Sequence, residues 1–399
     1  MNKKISLGVA ISLVAIGCAI TFVLTWAVSL NVYNSKIGTS EKYEGMYAKL
    51  REIDAAVRTN FIGDYSEENI ENGVIDGYIS GLGDKYASYM SDSVYYEIQQ
   101  ANNGVIHGAG FEVEDDGSGY LKIIAVYNGS SADLNGLKSG DMITEIDGKS
   151  LLSMAPGTAK EKLSGEVGTR VALKLLRDGE EISVNLIRQQ LDIESVTGEI
   201  LENNVAYIRI SSFNAKTAEQ FNTVVNEVIN ADTASLIIDL RQNSGGLVSA
   251  LKPILDKFIS SAVIATAEYA DGSRKVIVET GAETSITAKT AILVDEGTAS
   301  AAELFAGALK DEYGAIIVGT QTVGKAVMQN TYEFSDGTAL TISTAKIYLS
   351  KSGSWDGTGI KPDYTAERNV DILPEYLTHA NDTQLQKAIE IMSASSAAQ

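Results

Sequence analysis

Residues 291–310 read AILVDEGTASAAELFAGALK and contain the two kinds of element from which the core of this chain is predicted to be built. The first four residues are apolar and indicate a buried strand. A short Gly-Thr-Ala turn follows, and an alanine-rich helix is predicted over 301–310. Further buried strands are predicted at 235–240 and 315–318. Apolar strands that alternate with helices are typical of βαβ units and a largely parallel sheet.

Composition excludes several function classes. The chain has 399 residues, 44% of them hydrophobic, which indicates a folded protein of two or three domains. Its net charge of −20 argues against nucleic acid as a partner, since a phosphate-binding surface needs Lys and Arg. His107, His379 and the single Cys18 are too few for a His/Cys metal site, and we expect no metal and no cofactor. An acyl-transfer enzyme of this composition would use lysine as its base more readily than histidine.

The N-terminal segment is predicted to be a membrane anchor. Lys3 and Lys4 precede an uncharged run, Ile5 to Leu30, which exceeds the roughly 20 apolar residues that a spanning helix needs. The lysines would stay in the cytoplasm, so the rest of this single-pass protein would lie outside the cell membrane. A cleaved signal peptide and lipid attachment at Cys18 stay open as alternatives.

Changes of pattern along the chain divide it into five regions, and the predicted fold class is α+β and multidomain. The regions are a membrane anchor at 1–33, a helical region at 34–103, a β-rich region at 104–190, an α/β core at 191–369, and a C-terminal helical segment with a tail at 370–399. Asp147-Gly148 and Asp178-Gly179 predict tight hairpins within the β-rich region.

Ser300 is the candidate nucleophile. It follows a buried strand and opens a helix, whose first backbone N–H groups have no partner within the helix. The N–H of Ala301 would therefore stabilise the oxyanion that forms when Ser300 attacks a carbonyl. Serine is also a preferred N-cap residue, so a purely structural role for Ser300 stays open at this point.

Lys325 is the candidate general base. It lies among small and apolar residues, Val323 to Val327, where poor solvation lowers the pKa of a lysine and leaves a neutral amine. A solvated surface lysine is the alternative. Gln329 would hydrogen-bond and orient the amine if this stretch is helical or tightly turned.

Two glycine-containing loops are candidate binding segments. Gly245 and Gly246 follow a buried strand, at the end of the sheet where open α/β folds bind ligands, although a plain strand-to-helix turn is the alternative. The second loop opens the β-rich region and consists of Gly108, Ala109, Gly110 and Phe111. Successive N–H groups in such a loop would bind a carboxylate, and the strand after it would pair with an extended peptide.

Several of these segments resemble known families. The β-rich region resembles a PDZ domain, a β-sandwich-like fold, through its glycine loop, Asn135–Ile143 and Ile146–Gly148. The later part of the chain resembles the carboxy-terminal processing, or tail-specific, serine peptidases. The segments that carry this second resemblance are Asp239–Gly246, Gly297–Glu303, Gly324–Gln329, Phe334–Leu340, Thr344–Tyr348 and Gly357–Asp363.

The resemblance implies a function and assigns the candidate residues. Ser300 would be the nucleophile, Lys325 the general base and Gln329 the residue that holds the lysine. The oxyanion hole would consist of the backbone N–H groups of Ala301 and of Gly245 or Gly246. The PDZ domain would capture the C-terminal end of a protein or peptide substrate for an α/β serine endopeptidase core in a bacterium, and the family suggests homo-oligomerisation.

The chain departs from the family pattern without losing a catalytic group. Lys85, Ser244 and Lys351 stand where proline is common, Ala326 stands for a glycine, and Ser164 lies near an arginine position of regulated members. How such an enzyme is switched therefore stays open. Two other functions also stay open: a catalytically silent scaffold that binds protein C-termini, and a Ser-His-Asp hydrolase that uses His379.

Overall fold

The predicted membrane anchor falls outside the described part of the chain, apart from isolated positions. The computed structural model describes residues 8, 21, 25, 26, 44–154, 158–281, 283–369, 372 and 377–396. Across these described ranges, no helix combines the length and apolar composition needed to cross a membrane. The chain divides into two compact units, Met1–Val74 and Ile75–Gln399.

Helices dominate the region before the β-rich domain, as predicted. Helix α1 covers 44–60 and helix α2 covers Glu67–Ser80. Ser66 lies in the break between them, where its Oγ accepts a hydrogen bond from the N–H of Asn69 at 3.3 Å. A short strand, β1 (Ser88–Met90), and helix α3 (Asp92–Asn102) complete this region.

The β-rich domain has a six-stranded antiparallel sheet. Its elements are β2 (Val105–Gly108), β3 (Phe111–Asp115), β4 (Leu121–Val126), α4 (Ser131–Leu134), β5 (Met142–Ile146), β6 (Lys149–Ser150), α5 (Thr158–Leu163), β7 (Arg170–Arg177), β8 (Glu180–Ile187) and β9 (Gln189–Asp192). Both predicted Asp-Gly hairpins are confirmed, because all four turn residues have the positive φ that a type I′ turn requires. Five strands of this sheet follow the order β3-β4-β5-β7-β8, so β3 lies at one edge, and β6 pairs with β5.

The α/β core contains two sheets. Its elements are β10 (Val196–Leu201), β11 (Val205–Ile210), α6 (Thr217–Val228), β12 (Ser235–Asp239), α7 (Leu251–Leu255), β13 (Ala262–Tyr269), β14 (Arg274–Thr280), β15 (Thr290–Val294), α8 (Ala301–Ala308), β16 (Ile316–Gly319), β17 (Val327–Glu333), β18 (Ala339–Leu349), β19 (Tyr364–Thr365) and α9 (Thr383–Ser396). The first sheet has the order β10-β11-β12-β15-β16-β19 and is parallel except for the β10–β11 pair. The predicted βαβ arrangement is therefore confirmed.

Both faces of this parallel sheet are covered, which explains its continuous apolar strands. Helices α6, α7 and α8 pack on one face, where Phe221, Leu251 and Phe305 are fully buried. Helix α9 packs on the other face through Leu385 and Ala388. Because β12 and β15 are parallel neighbours, their carboxyl ends emerge together at one edge of this three-layer core.

The second sheet of the core joins distant parts of the sequence. Strand β18 pairs with β17 along one side, and with β1 and β13 along the other. Because β1 begins two residues after Tyr86 and β17 begins two residues after Lys325, this sheet places the loop before β1 beside the candidate base.

Candidate active site

Ser300 is the N-cap residue of α8 and follows the carboxyl end of β15, as predicted. Its backbone φ of 55° and ψ of −117° are unusual for a residue with a side chain. Such strained conformations cost about 1–3 kcal/mol and persist only where the surrounding structure enforces them. The N–H of Ser300 donates to Oε2 of Glu303 at 2.9 Å, and Gly245 packs against the same backbone.

Glu303 is fully buried and links the two candidate catalytic segments. Its Oε2 accepts hydrogen bonds from the N–H groups of Ser300 and Lys325, at 2.9 and 2.8 Å. Its Oε1 accepts from the N–H of Gly324 at 2.7 Å and from the hydroxyl of Thr322. Because two amides share one oxygen atom, Ser300 and Lys325 are close neighbours in space.

Lys325 is partly buried, and its side chain lies beside an aromatic ring. Its Nζ lies 5.0 Å from the ring centroid of Tyr86. Within the described part of the chain, this amine forms no ion pair and donates no hydrogen bond. Burial lowers the pKa of Lys325, and the nearby carboxylate of Asp84 partly opposes that shift. The amine is therefore easier to deprotonate than that of an exposed lysine.

Gln329 lies on a strand. Its contact with Lys325 was predicted for a helix or a tight turn, and the structure has neither at this position. Strand β17 begins at Val327, and a bulge lies between Met328 and Gln329. The Nε2 of Gln329 donates to the backbone carbonyl of Tyr86 at 2.7 Å. Gln329 thus binds the residue that lies against the lysine.

The loop at 84–86 is the part of the site that sequence reasoning missed. Asp84 accepts hydrogen bonds from the N–H of Ser343 at 2.8 Å and from the N–H of Tyr86 at 3.0 Å. Burial acts to raise the pKa of Asp84, but these bonds hold it below its usual range. The Tyr86 hydroxyl donates to the carbonyl of Gly324 at 3.2 Å. This loop follows a Gly-Leu-Gly turn, which is only a weak sequence signal.

The glycine loop after β12 lies against Ser300. A Cβ placed on Gly245 would be 2.9 Å from the nitrogen of Ala301 and 3.0 Å from the Cβ of Ser300. The N–H of Gly245 already donates to the Oδ1 of Asn243 at 2.8 Å. Of the two glycines, Gly246 is therefore the better candidate for a second oxyanion donor beside Ala301.

A buried ion cluster fixes the start of this glycine loop. The Nη2 of Arg241 lies 2.6 Å from Oδ2 of Asp239 and 2.8 Å from Oδ2 of Asp382, all three side chains being buried. Asp382 precedes α9, so the cluster connects the C-terminal helix to the loop. The position of Gly245 and Gly246 thus depends on contacts from both ends of the core.

Replacing Gly245 by alanine is expected to lower kcat by about 10²-fold, since an error of about 1 Å in the position of reacting groups costs that much. The new Cβ would meet backbone atoms of the Ser300 segment, and a φ of 107° strains any residue other than glycine. Gly272→Ala is the matched control, because Gly272 also has a positive φ and has open space around it. Equal kcat values for the two variants would contradict this account of the loop.

The four residues of the first glycine loop line a cavity of about 810 Å³. Phe111 and Val113 of β3, Leu163 of α5 and Tyr96 of α3 also line it. In the described residues, the N–H groups of Ala109 and Gly110 donate no hydrogen bond. An edge strand beside a cleft with available N–H groups has the features that bind an extended peptide and its terminal carboxylate.

The structure gives no support to a histidine-based site. His379 lies against Tyr207 and 3.3 Å from Glu199, and no contact in the described chain joins it to Ser300. His107 contacts Tyr96 and Gln190 near the β-rich domain. The described residues contain no cluster of three or more His, Cys, Asp or Glu side chains able to hold a metal ion.

Comparison with known proteins identifies the chain. Residues 204–366 match the model of peptidase family S41, and residues 122–177 match the PDZ domain. The chain is 31% identical over 336 residues to the carboxy-terminal processing protease CtpA of Bacillus subtilis strain 168, a match that covers 84% of this chain and 70% of CtpA. The chain belongs to peptidase family S41. This S41 chain is accordingly a serine peptidase with a PDZ domain.

A second relative and a solved structure are also similar to this chain. This S41 peptidase is 26% identical over 386 residues to a CtpA-like serine protease of Staphylococcus saprophyticus, covering 95% of this chain and 78% of the relative. A crystal structure of an S41 protease from Bacteroides fragilis NCTC 9343 has the same fold, with a TM-score of 0.51 and 20% identity over 79% of this chain and 87% of that one.

Proposed function

We propose that this S41 peptidase is an endopeptidase that cleaves proteins with a Ser300–Lys325 dyad and captures their C-termini in its PDZ domain. The observation that supports the dyad is the shared acceptor, the buried Oε2 of Glu303, which binds the N–H groups of both residues. This arrangement keeps the hydroxyl and the amine on neighbouring backbone segments. Family membership gives no support to the silent-scaffold alternative.

The proposed reaction begins with transfer of the Ser300 hydroxyl proton to the neutral amine of Lys325, as Ser300 Oγ bonds to the peptide carbonyl carbon. The carbonyl oxygen becomes an oxyanion, which the N–H groups of Ala301 and Gly246 would stabilise. Collapse of this intermediate breaks the C–N bond, and the ammonium of Lys325 returns its proton to the leaving amine. Lys325 then takes a proton from a water molecule as the water oxygen bonds to the ester carbonyl carbon. The bond from this carbon to Ser300 Oγ breaks, Lys325 returns the proton to Oγ, and the second product leaves with a new carboxyl group.

The PDZ cleft supports a role in substrate capture. A carboxylate would accept hydrogen bonds from the N–H groups of Ala109 and Gly110, and residues before it would pair with the open edge of β3. Phe111 and Leu163 offer apolar surface for the last side chain of the substrate. The cleft therefore favours an extended peptide with a free C-terminus.

The uncharged run from Ile5 to Leu30 supports anchoring of this peptidase to a membrane, with its catalytic part outside the cytoplasm. The length of the run and the two preceding lysines are the basis of this proposal. Self-association stays a prediction that rests on the family resemblance.

The proposed function is tested with the full-length protein and an unfolded polypeptide made in two forms, with a free C-terminal carboxylate and with a C-terminal amide. We expect cleavage of both forms to disappear in Ser300→Ala. We expect the parent to cleave the amidated form about tenfold more slowly, because an amide lacks the negative charge that strengthens the hydrogen bonds from the N–H groups of Ala109 and Gly110. Equal rates for both forms would contradict capture by the C-terminus, and cleavage by Ser300→Ala would contradict the dyad.

A further inference from the structure

Tyr86 belongs to the active site although it lies far from Ser300 and Lys325 in the sequence. Its ring centroid is 5.0 Å from Nζ of Lys325, and the described residues provide this amine with no hydrogen-bond or ion-pair partner. An aromatic ring at this distance packs along a lysine side chain and limits the positions that its amine can adopt. A base must stay within hydrogen-bond reach of the proton that it accepts.

Three hydrogen bonds hold Tyr86 in place, and two of them connect it to the segment that carries the lysine. The Tyr86 hydroxyl donates to the carbonyl of Gly324 at 3.2 Å, directly before Lys325. The carbonyl of Tyr86 accepts from Nε2 of Gln329 at 2.7 Å. The N–H of Tyr86 donates to Oδ1 of Asp84 at 3.0 Å. The ring is thus attached to the chain both before and after the lysine.

Asp84 fixes this loop to the second sheet of the core. Its Oδ2 accepts from the N–H of Ser343 at 2.8 Å, and its Oδ1 accepts from the Ser343 hydroxyl at 3.0 Å. Ser343 is the residue of β18 that pairs with Gln329 of β17. Ser343 of β18 and Gln329 of β17 therefore hold the same loop, through Asp84 and Tyr86. The position of Tyr86 thus depends on the register in which β17 and β18 pair.

We propose that Tyr86 is the positioning residue for the base, and that Gln329 acts on Lys325 through Tyr86. This inference rests on the proposed function of Ser300 and Lys325. It differs from direct orientation of the amine by Gln329, because Nε2 of Gln329 donates to the carbonyl of Tyr86 and no contact in the described residues joins the Gln329 side chain to the amine of Lys325.

The charged groups around the amine give this proposal a pH signature. Glu303 accepts a hydrogen bond from the backbone N–H of Lys325, and Asp84 lies nearby. The Nζ of Lys85 lies 4.6 Å from the centroid of the same Tyr86 ring. Burial is the principal cause of the lowered pKa of Lys325, and Asp84 opposes it. Removing the ring would admit water and raise this pKa, whereas removing the Asp84 charge would lower it.

The test measures kcat, KM and the pH profile for cleavage of a short peptide by the full-length protein and its variants. For Tyr86→Leu we expect kcat to fall by about 10- to 100-fold and KM to change by less than about twofold. The acid limb of the pH profile, where kcat rises as Lys325 loses its proton, should move to higher pH. Tyr86→Phe keeps the ring and should restore most of kcat. Asp84→Asn should move the acid limb to lower pH, whereas a variant that only loosened the loop would move it to higher pH.

A double-mutant cycle tests the route from Gln329 to the lysine. If Gln329 acts through Tyr86, Gln329→Leu combined with Tyr86→Leu should lose no more activity than Tyr86→Leu alone. Losses that multiply would overturn the proposal. Gln329→Leu alone should also move the acid limb to higher pH, which keeps the proposal testable if Tyr86→Leu does not fold.

Tyr89→Leu is the matched control, because Tyr89 lies on β1 and its ring contacts Phe334. Its kcat and acid limb should match those of the parent. Parental kcat and pH profile in Tyr86→Leu, alongside an inactive Ser300→Ala, would overturn the positioning role while leaving the proposed function intact. Activity in Ser300→Ala would instead overturn the proposed function itself.

Discussion

Replacing Lys325 by methionine is expected to lower kcat by about 10²- to 10⁴-fold, the usual contribution of a positioned general base. Methionine keeps much of the length and apolar character of the side chain but cannot accept the Ser300 proton. Lys325→Arg should be equally inactive, because a guanidinium stays protonated at any pH that the protein tolerates. The two variants together separate loss of the base from loss of the positive charge.

The pH dependence of the parent follows from the same group. Only the neutral amine accepts a proton, so kcat should rise with pH through the pKa of Lys325 and fall as the amine becomes protonated. Because burial lowers this pKa, the rise should occur below the range of an ordinary lysine. Lys346→Met is the matched control, since Lys346 is exposed on β18. Parental kcat in Lys325→Met would contradict the role of Lys325.

Glu303→Ala is expected to lower both stability and activity more than any other single change outside the dyad. The variant would leave the donors from Ser300, Thr322, Gly324 and Lys325 without their acceptor in a buried site. Each unpaired buried donor costs about 1–3 kcal/mol, and water entering the site would offset part of this cost. We therefore expect the free energy of unfolding to fall by about 2–5 kcal/mol. Because the N–H groups of Ser300 and Lys325 would no longer share an acceptor, the two side chains would lose their relative position, and kcat should fall by at least about 10²-fold.

Denaturant unfolding and steady-state kinetics measure the two effects of Glu303→Ala separately. Glu296→Gln is the matched control, because Glu296 is an exposed carboxylate of the same segment and accepts one hydrogen bond from Thr320 at 3.0 Å. The control should change the free energy of unfolding by less than about 0.5 kcal/mol. A Glu303→Ala protein with parental stability and kcat would contradict the linking role of this carboxylate.

The pattern of strands and helices in the core could be predicted from the sequence because it depends on local periodicity. Continuous apolar runs such as 235–240 indicate a strand that is buried on both faces, and the structure places helices on both faces of that sheet. The Asp-Gly hairpins were equally predictable, since few residues tolerate positive φ at two successive positions.

The site could be predicted only in part, for physical reasons. Ser300 and Lys325 lie in locally distinctive segments, and one buried carboxylate brings these segments together. Tyr86 reaches Gly324 across 238 residues of sequence, and this contact depends on the pairing of β1 and β17 with β18, which no local pattern specifies. The contact of Gln329 was missed for the same reason. A helix or tight turn would bring its amide to Lys325, whereas the bulged strand brings its amide to the carbonyl of Tyr86.

The most direct test of the central claim compares cleavage of an unfolded protein by the full-length parent and by Ser300→Ala, at the pH where the parent is most active. The account predicts that cleavage by Ser300→Ala falls to the background level, while its fold and its binding of a C-terminal peptide are kept. Cleavage by Ser300→Ala at the parental rate would show that Ser300 is not the nucleophile and would contradict the proposed mechanism.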